Sequence, residues 1–116
     1  MPGEQIRAQL MKGATAYLVL AVLRDGEAYG YEVARRIRER SAGEFIPSEG
    51  ALYPALHRLE TAGALTATWR EGAGGPRRRW YAITQTGLAE LAMHEREWAT
   101  FAAAVGRVTT PEPGRA

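Results

Sequence analysis

A mostly α-helical fold with one small β-hairpin, an α+β class, is what this 116-residue sequence predicts. Three observations predict it. An all-apolar run, Ala16 to Leu23, is closed by Arg24 and Asp25. Apolar residues at helical spacing recur in three further stretches. Two β-type runs, Leu65 to Glu71 and Arg77 to Ile83, flank a Gly-Ala-Gly-Gly-Pro stretch at 72–76 that can only turn.

Taken in order, Met1 to Glu4 is expected to fray, and Gln5 to Leu10 to form a helical turn or two running up to Gly13. Ala14 to Arg24 is the most apolar segment. A helix with no polar face needs cover on every side, part of it from its own domain and the rest from a partner. The run Ala16 to Leu23 is far too short to span a bilayer. Asp25-Gly26-Glu27 breaks this helix. Tyr29-Gly30-Tyr31-Glu32 opens the second, with Val33, Ala34 and Ile37 inside and Arg35, Arg36, Arg38 and Arg40 forming a solvated face. Ser41-Ala42-Gly43 ends it. Pro47 keeps Ile46 extended. Phe45 and Ile46 are expected to tuck into the core, and this link to make a short β contact with the hairpin.

Ser48 is a good N-cap for the third helix. Leu52, Ala55, Leu56 and Leu59 form its apolar face, and Gly63 stops it with a left-handed residue. Pro54 deletes the bond to the Gly50 carbonyl, so a tightened first turn that re-aims Tyr53 is expected. After the hairpin, Thr84 or Thr86 caps the last helix. It runs to about Val108, on the order of twenty residues and so roughly 30 Å. Leu88, Leu91, Ala92, Ala99, Ala102 and Val105 give one apolar seam; His94, Trp98 and Phe101 give a second, aromatic stripe. The domain before it cannot cover both. The simplest cover is a second copy, joined two-fold through the first and last helices. The division is therefore 5–84 for a winged helix-turn-helix, 85–108 for a dimerisation helix and 109–116 for a disordered tail. Helix, helix, turn, helix and hairpin in that order is the winged-helix arrangement.

Composition narrows the chemistry. The absence of cysteine excludes disulfides and thiolate metal sites, and the N-terminus lacks a secretory pattern; a soluble, cytoplasmic protein with no membrane role is expected. His57 and His94 fall on different elements, the acids are scattered, and no helix follows the glycine-rich turn. No catalytic group, metal site or cofactor is expected, and so no enzyme. Net charge is only +2, but Arg70, Arg77, Arg78 and Arg79 crowd the hairpin. Double-stranded DNA is the implied partner. Ser48, Tyr53, Pro54, His57 and Arg58 belong to the helix that would enter the major groove, and Tyr29 would reach a phosphate. On a strand the three wing arginines alternate faces, leaving either Arg77 with Arg79, or Arg78 alone at the tip, for DNA. The rival reading is a winged-helix module that docks protein.

Several motifs together resemble the PadR family of bacterial transcriptional regulators. They are Tyr29-Gly30-Tyr31-Glu32, the run Glu49 to Leu56, Arg58-Leu59-Glu60, the stretch Gly74 to Arg78, and Trp80-Tyr81 leading to Thr84 and Gly87. Ala51 departs from the threonine many members carry. The resemblance implies a homodimeric repressor on an inverted-repeat operator, of the short subclass with one C-terminal helix, released in some members by small aromatic ligands. By the same resemblance Trp98, with Tyr17, His94 and Phe101, would line a cavity across the two-fold for a flat aromatic effector.

Overall fold

The computed structural model describes residues 2–71 and 74–114. Four helices and a three-stranded sheet follow in the order α1 (Pro2–Leu23), β1 (Ala28–Tyr29), α2 (Gly30–Arg40), α3 (Glu49–Thr61), β2 (Leu65–Glu71), β3 (Arg77–Ile83) and α4 (Gln85–Thr109). Both hairpin strands have the limits the alternation predicts. Residues 72 and 73 of the turn, Met1 and the last two residues lie outside the described residues.

The first helix departs from expectation. It begins at Pro2 and passes through Gly13 without a break. A glycine inside a helix costs only about 1 kcal/mol, and Thr15 Oγ1 spans the turn by donating to the Met11 carbonyl at 2.9 Å. By length and composition this helix is apolar enough to cross a bilayer, which the eight-residue run alone is not. Its apolar half is instead the core of the domain. Val19, Leu20, Val22 and Leu23 are buried against Val33, Leu52, Leu56 and Leu65, while the other half carries Glu4, Arg7 and Lys12 to solvent. The apolar run is thus covered largely from within. The part of α1 left bare is its first half, where Ile6 and Leu10 are exposed.

The turn 24–27 that follows is fastened by Arg36. Its guanidinium donates to the carbonyls of Val22, Gly26 and Glu27 at 3.4, 2.8 and 3.3 Å. The first of these is a free carbonyl at the end of α1, a natural site for a cation. So one of the four arginines assigned to a solvated face is a structural clasp. Arg40 pairs with Asp25 at 2.7 Å, and Arg35 with Glu32 and Glu39.

The sheet runs β1-β3-β2, antiparallel throughout. The third strand comes from Ala28 and Tyr29, opposite Tyr81 and Trp80, and not from the link at 44–47. That link keeps Phe45 against the core, but Ile46 stands out at 68% exposure. Ala62 and Gly63 close α3, with Gly63 at φ 81 and the Ala64 amide donating back to the Leu59 carbonyl at 2.9 Å. Thr84, not Thr86, caps α4: its hydroxyl accepts from the Gly87 amide at 3.0 Å. Leu91 is buried; beyond it α4 runs along α1, with Arg24 and Glu95 paired at 3.0 Å, and no later residue of α4 is fully buried among the described residues. The Cα radius of gyration is 16.9 Å, against about 13 Å for a compact chain of this length. The excess comes from two helices that overhang, and Trp98, Phe101, Val105 and Val108 remain exposed on α4.

Candidate nucleic-acid interface

Ser48 starts α3 with its hydroxyl accepting from the Ala51 amide at 3.2 Å. Its carbonyl takes both Ala51 and Leu52 amides, at 3.1 and 2.8 Å, so the first turn carries a tight bond beside the ordinary one. The helix continues through Pro54 to Thr61. With Leu52, Ala55, Leu56 and Leu59 buried, Ser48, Tyr53, Pro54, His57 and Arg58 all face outward. Tyr53 is fixed from behind. Its ring lies over the start of α2, where Gly30 offers no side chain to block it.

The wing stands beside this helix. Cross-strand pairs Trp69–Arg79 and Glu71–Arg77 share one face with Leu65 and Tyr81; Arg70–Arg78 and Thr68–Trp80 share the other. The arginines have different fates. Arg79 Nη2 donates to Glu60 Oε2 of α3 at 2.5 Å. Arg70 Nη2 donates to Glu27 Oε2 at 2.5 Å and rides over the Trp80 ring at 5.0 Å. This hydrogen bond holds the Glu27 carboxyl below its usual range and pushes Arg70 up. Burial pushes the Tyr81 phenol up, with Arg79 pulling the other way. Arg77 and Arg78 have no carboxylate partner among the described residues: Arg77 lies 5.9 Å from Trp69 and Arg78 4.5 Å from Tyr29. Such aromatic contacts orient a guanidinium and leave its charge available.

An open cleft of about 540 Å³ joins the two parts, lined by Tyr29, Tyr31 and Tyr53 with Trp69 and the three wing arginines. Tyr29, Tyr53, Arg77, Arg78 and Arg79 are thereby brought together. Ser48, His57 and Arg58 lie along the same helix but outside the cleft lining. Glu60, Tyr31, Trp69 and Gly30 were not among the residues nominated from sequence. Gly30 and Tyr31 stand in the Tyr29–Glu32 motif and Glu60 in Arg58-Leu59-Glu60, but none of these motifs assigns a site role, and the partner of Glu60 lies nineteen residues away.

At the other end of the molecule, Tyr17 of α1 stacks on His94 at 5.6 Å with 8° between the planes. Trp98 leans on Tyr17 at 6.1 Å and on Phe101 at 6.4 Å. All four line one surface hollow of about 280 Å³ with Gly13 and Glu97. A second hollow, about 330 Å³ and almost wholly apolar, opens between Leu10, Phe45, Trp98 and Val105.

A helix with its outer face free and an arginine-bearing hairpin at its side define a winged-helix domain. The chain belongs to the transcriptional regulator PadR-like family, whose model matches residues 19–93. It is 30% identical over 94 residues to a protein of Lysinibacillus sphaericus, covering 81% of this chain and 86% of that one. It is 31% identical over 79 residues to the Escherichia coli transcriptional regulator YqjI, spanning 68% of this chain but only 36% of YqjI. Among solved structures, a transcriptional regulator from Clostridium thermocellum superposes with TM-score 0.81 at 26% identity, covering 88% of this chain and 99% of that one. A PadR family regulator from Eggerthella lenta superposes with TM-score 0.80 at 31% identity, covering 94% and 93%. Regulators of this family bind DNA and are not enzymes.

Proposed function

We propose that the protein is a cytoplasmic, homodimeric repressor that binds an inverted-repeat operator. In this reading α3 enters the major groove with Tyr53, His57 and Arg58 toward the bases, while Ser48 at its start and Pro54 on its outer face approach the backbone. Arg77 and Arg78 lie on opposite faces of β3 yet both border the cleft, so in place of either single-face choice both meet phosphate from the wing, and Tyr29 adds a hydroxyl. The observation that carries the reading is the shared cleft: Tyr53 of the helix and the two unpaired wing arginines border one opening. Footprinting on the intergenic DNA beside the protein's own gene tests it. Protection of two half-sites about one helical turn apart is expected; an unprotected region, with affinity insensitive to salt, would favour a protein-docking module instead.

Self-association is supported by the exposed apolar residues of the two overhanging helices, Ile6 and Leu10 on α1 and Phe101, Val105 and Val108 on α4. Covering them with a second copy spaces two α3 helices for successive major grooves. The hollow at Tyr17, His94, Trp98 and Phe101 lies on the same overhang, where a flat aromatic effector would stack and alter that spacing. Titration with planar cationic dyes, read by indole fluorescence, tests this. Quenching lost in Trp98→Ala is expected; quenching unchanged by that substitution removes the pocket and leaves DNA binding standing.

A further inference from the structure

We infer that Glu60 and Arg79 form a brace that fixes the pitch of the wing against α3, so that both act as positioning residues for DNA binding and not as DNA contacts. The inference rests on the DNA-binding reading above. Arg79 reaches the carboxylate from the middle of β3, and Glu60 is the penultimate residue of α3. The guanidinium carbon lies 5.9 Å from the Trp69 ring and 6.0 Å from the Tyr81 ring. It is therefore flanked by two aromatic side chains while its end rests on Glu60 Oε2. To extend toward a phosphate, Arg79 would have to leave all three.

The remaining atoms of the pair are informative. Glu60 Oε1 and Arg79 Nε are sealed from solvent and have no hydrogen-bond partner among the described residues. An ion pair with part of its hydrogen-bonding capacity unmet is a poor way to gain stability. What it supplies is a fixed separation between helix and strand. Arg78 is the residue before it on β3 and Arg77 the one before that, so the angle set at Arg79 is the angle at which the two free arginines are presented. The exposed Arg70–Glu27 pair ties the opposite face of the hairpin to the turn before β1. The wing is thus held on both faces, and the α3 side is the one that registers it with the reading helix.

The test is a charge exchange: Glu60→Arg, Arg79→Glu and the two combined. Each protein is measured for operator affinity, for the slope of affinity against salt, and for amide hydrogen exchange in β2 and β3 without DNA. The single changes are expected to lose roughly tenfold in affinity and to speed exchange in the hairpin. The exchanged pair should recover most of the affinity, the slope and the protection. Glu60→Gln, which keeps size and a hydrogen bond, guards against misfolding of the reversed charges and should give a few-fold loss of affinity with faster hairpin exchange. An exchanged pair as weak as Arg79→Glu, with its slope reduced by about one, would make Arg79 a phosphate contact and overturn the brace. Singles that match the wild type in affinity and exchange overturn it as well. If the wild type binds no duplex, the DNA reading fails, while hydrogen exchange still decides the brace.

Discussion

A β-carbon on Gly30 would sit 2.8 Å from the hydroxyl oxygen of Tyr53 and 2.8 Å from its Cε1. The start of α2 therefore shapes the surface of α3: the smallest residue on one helix sets where the tyrosine of the other points. Tyr53 is 45% exposed, so its ring can swing outward if crowded. Gly30→Ala is expected to cost stability only about 1 kcal/mol while operator affinity falls roughly tenfold, since a displaced ring loses its base or phosphate partner. Fluorescence anisotropy with labelled operator and a thermal melt on the same preparation check it. A large drop in melting temperature with affinity unchanged would mean that Tyr53 packs the domain and reads nothing.

Gly87 is the opposite case. A β-carbon there would collide with the Ala64 carbonyl oxygen and sit 2.6 Å from Ile83 Cγ1, and that carbonyl also accepts from the Thr84 amide at 3.0 Å. Backbone held by a hydrogen bond cannot yield as a side chain does. Gly87→Ala should lower unfolding free energy by about 3 kcal/mol, measured by urea denaturation. A loss under about 1 kcal/mol would show that α4 can pivot at its first turn.

Arg77 and Arg78 should behave as phosphate contacts. Replacing either by Ala is expected to weaken specific and non-specific DNA alike and to reduce the slope of log affinity on log salt by about one each. Competition binding over a range of salt concentrations checks this. A change confined to one operator sequence would instead place the residue on a base edge.

The overhanging helices predict an assembly defect. Phe101→Glu or Leu10→Glu puts a charge on a surface that gains from apolar contact, and either should shift the protein from dimer to monomer in sedimentation while its circular dichroism stays helical. A dimer of undiminished affinity in both variants would move the interface elsewhere.

Glu27 supplies a pH dependence. Arg70 holds its carboxyl below the ordinary 4.5, so the folded state favours the ionised form. The contribution is present above 4.5 and is lost as pH falls through the folded value. Both side chains are near the surface, so the effect is small and fades with salt. Hairpin hydrogen exchange, corrected for its intrinsic pH dependence, should rise on acidification in the wild type and be flat in Glu27→Gln. Equal profiles would remove the tether.

Local chemistry was enough for much of this molecule. The strand limits of β2 and β3, the Ser48 cap, the Gly63 stop and the stripe of Leu52, Leu56 and Leu59 each depend on residues within a few positions of one another, and periodicity records such relations. The outward set on α3 follows by subtraction once that stripe is known. The grouping of Tyr17 with His94, Trp98 and Phe101 was legible too, but other features made by distant partners were not. Ala28 and Tyr29 are a strand only because Tyr81 and Trp80 lie opposite them, and two residues carry no pattern of their own. Gly13 looks like a stop in isolation, yet continuous helix on either side outweighs its weak preference. Arg77, Arg78 and Arg79 are identical in the sequence; only the fold, which sets Arg79 beside Glu60 of α3, commits the third and leaves the other two free. The chain alone determined the four helices and the hairpin, because their causes are local. The tertiary structure alone decided which charges remain available, because a charge is satisfied by whatever the fold brings within reach of it.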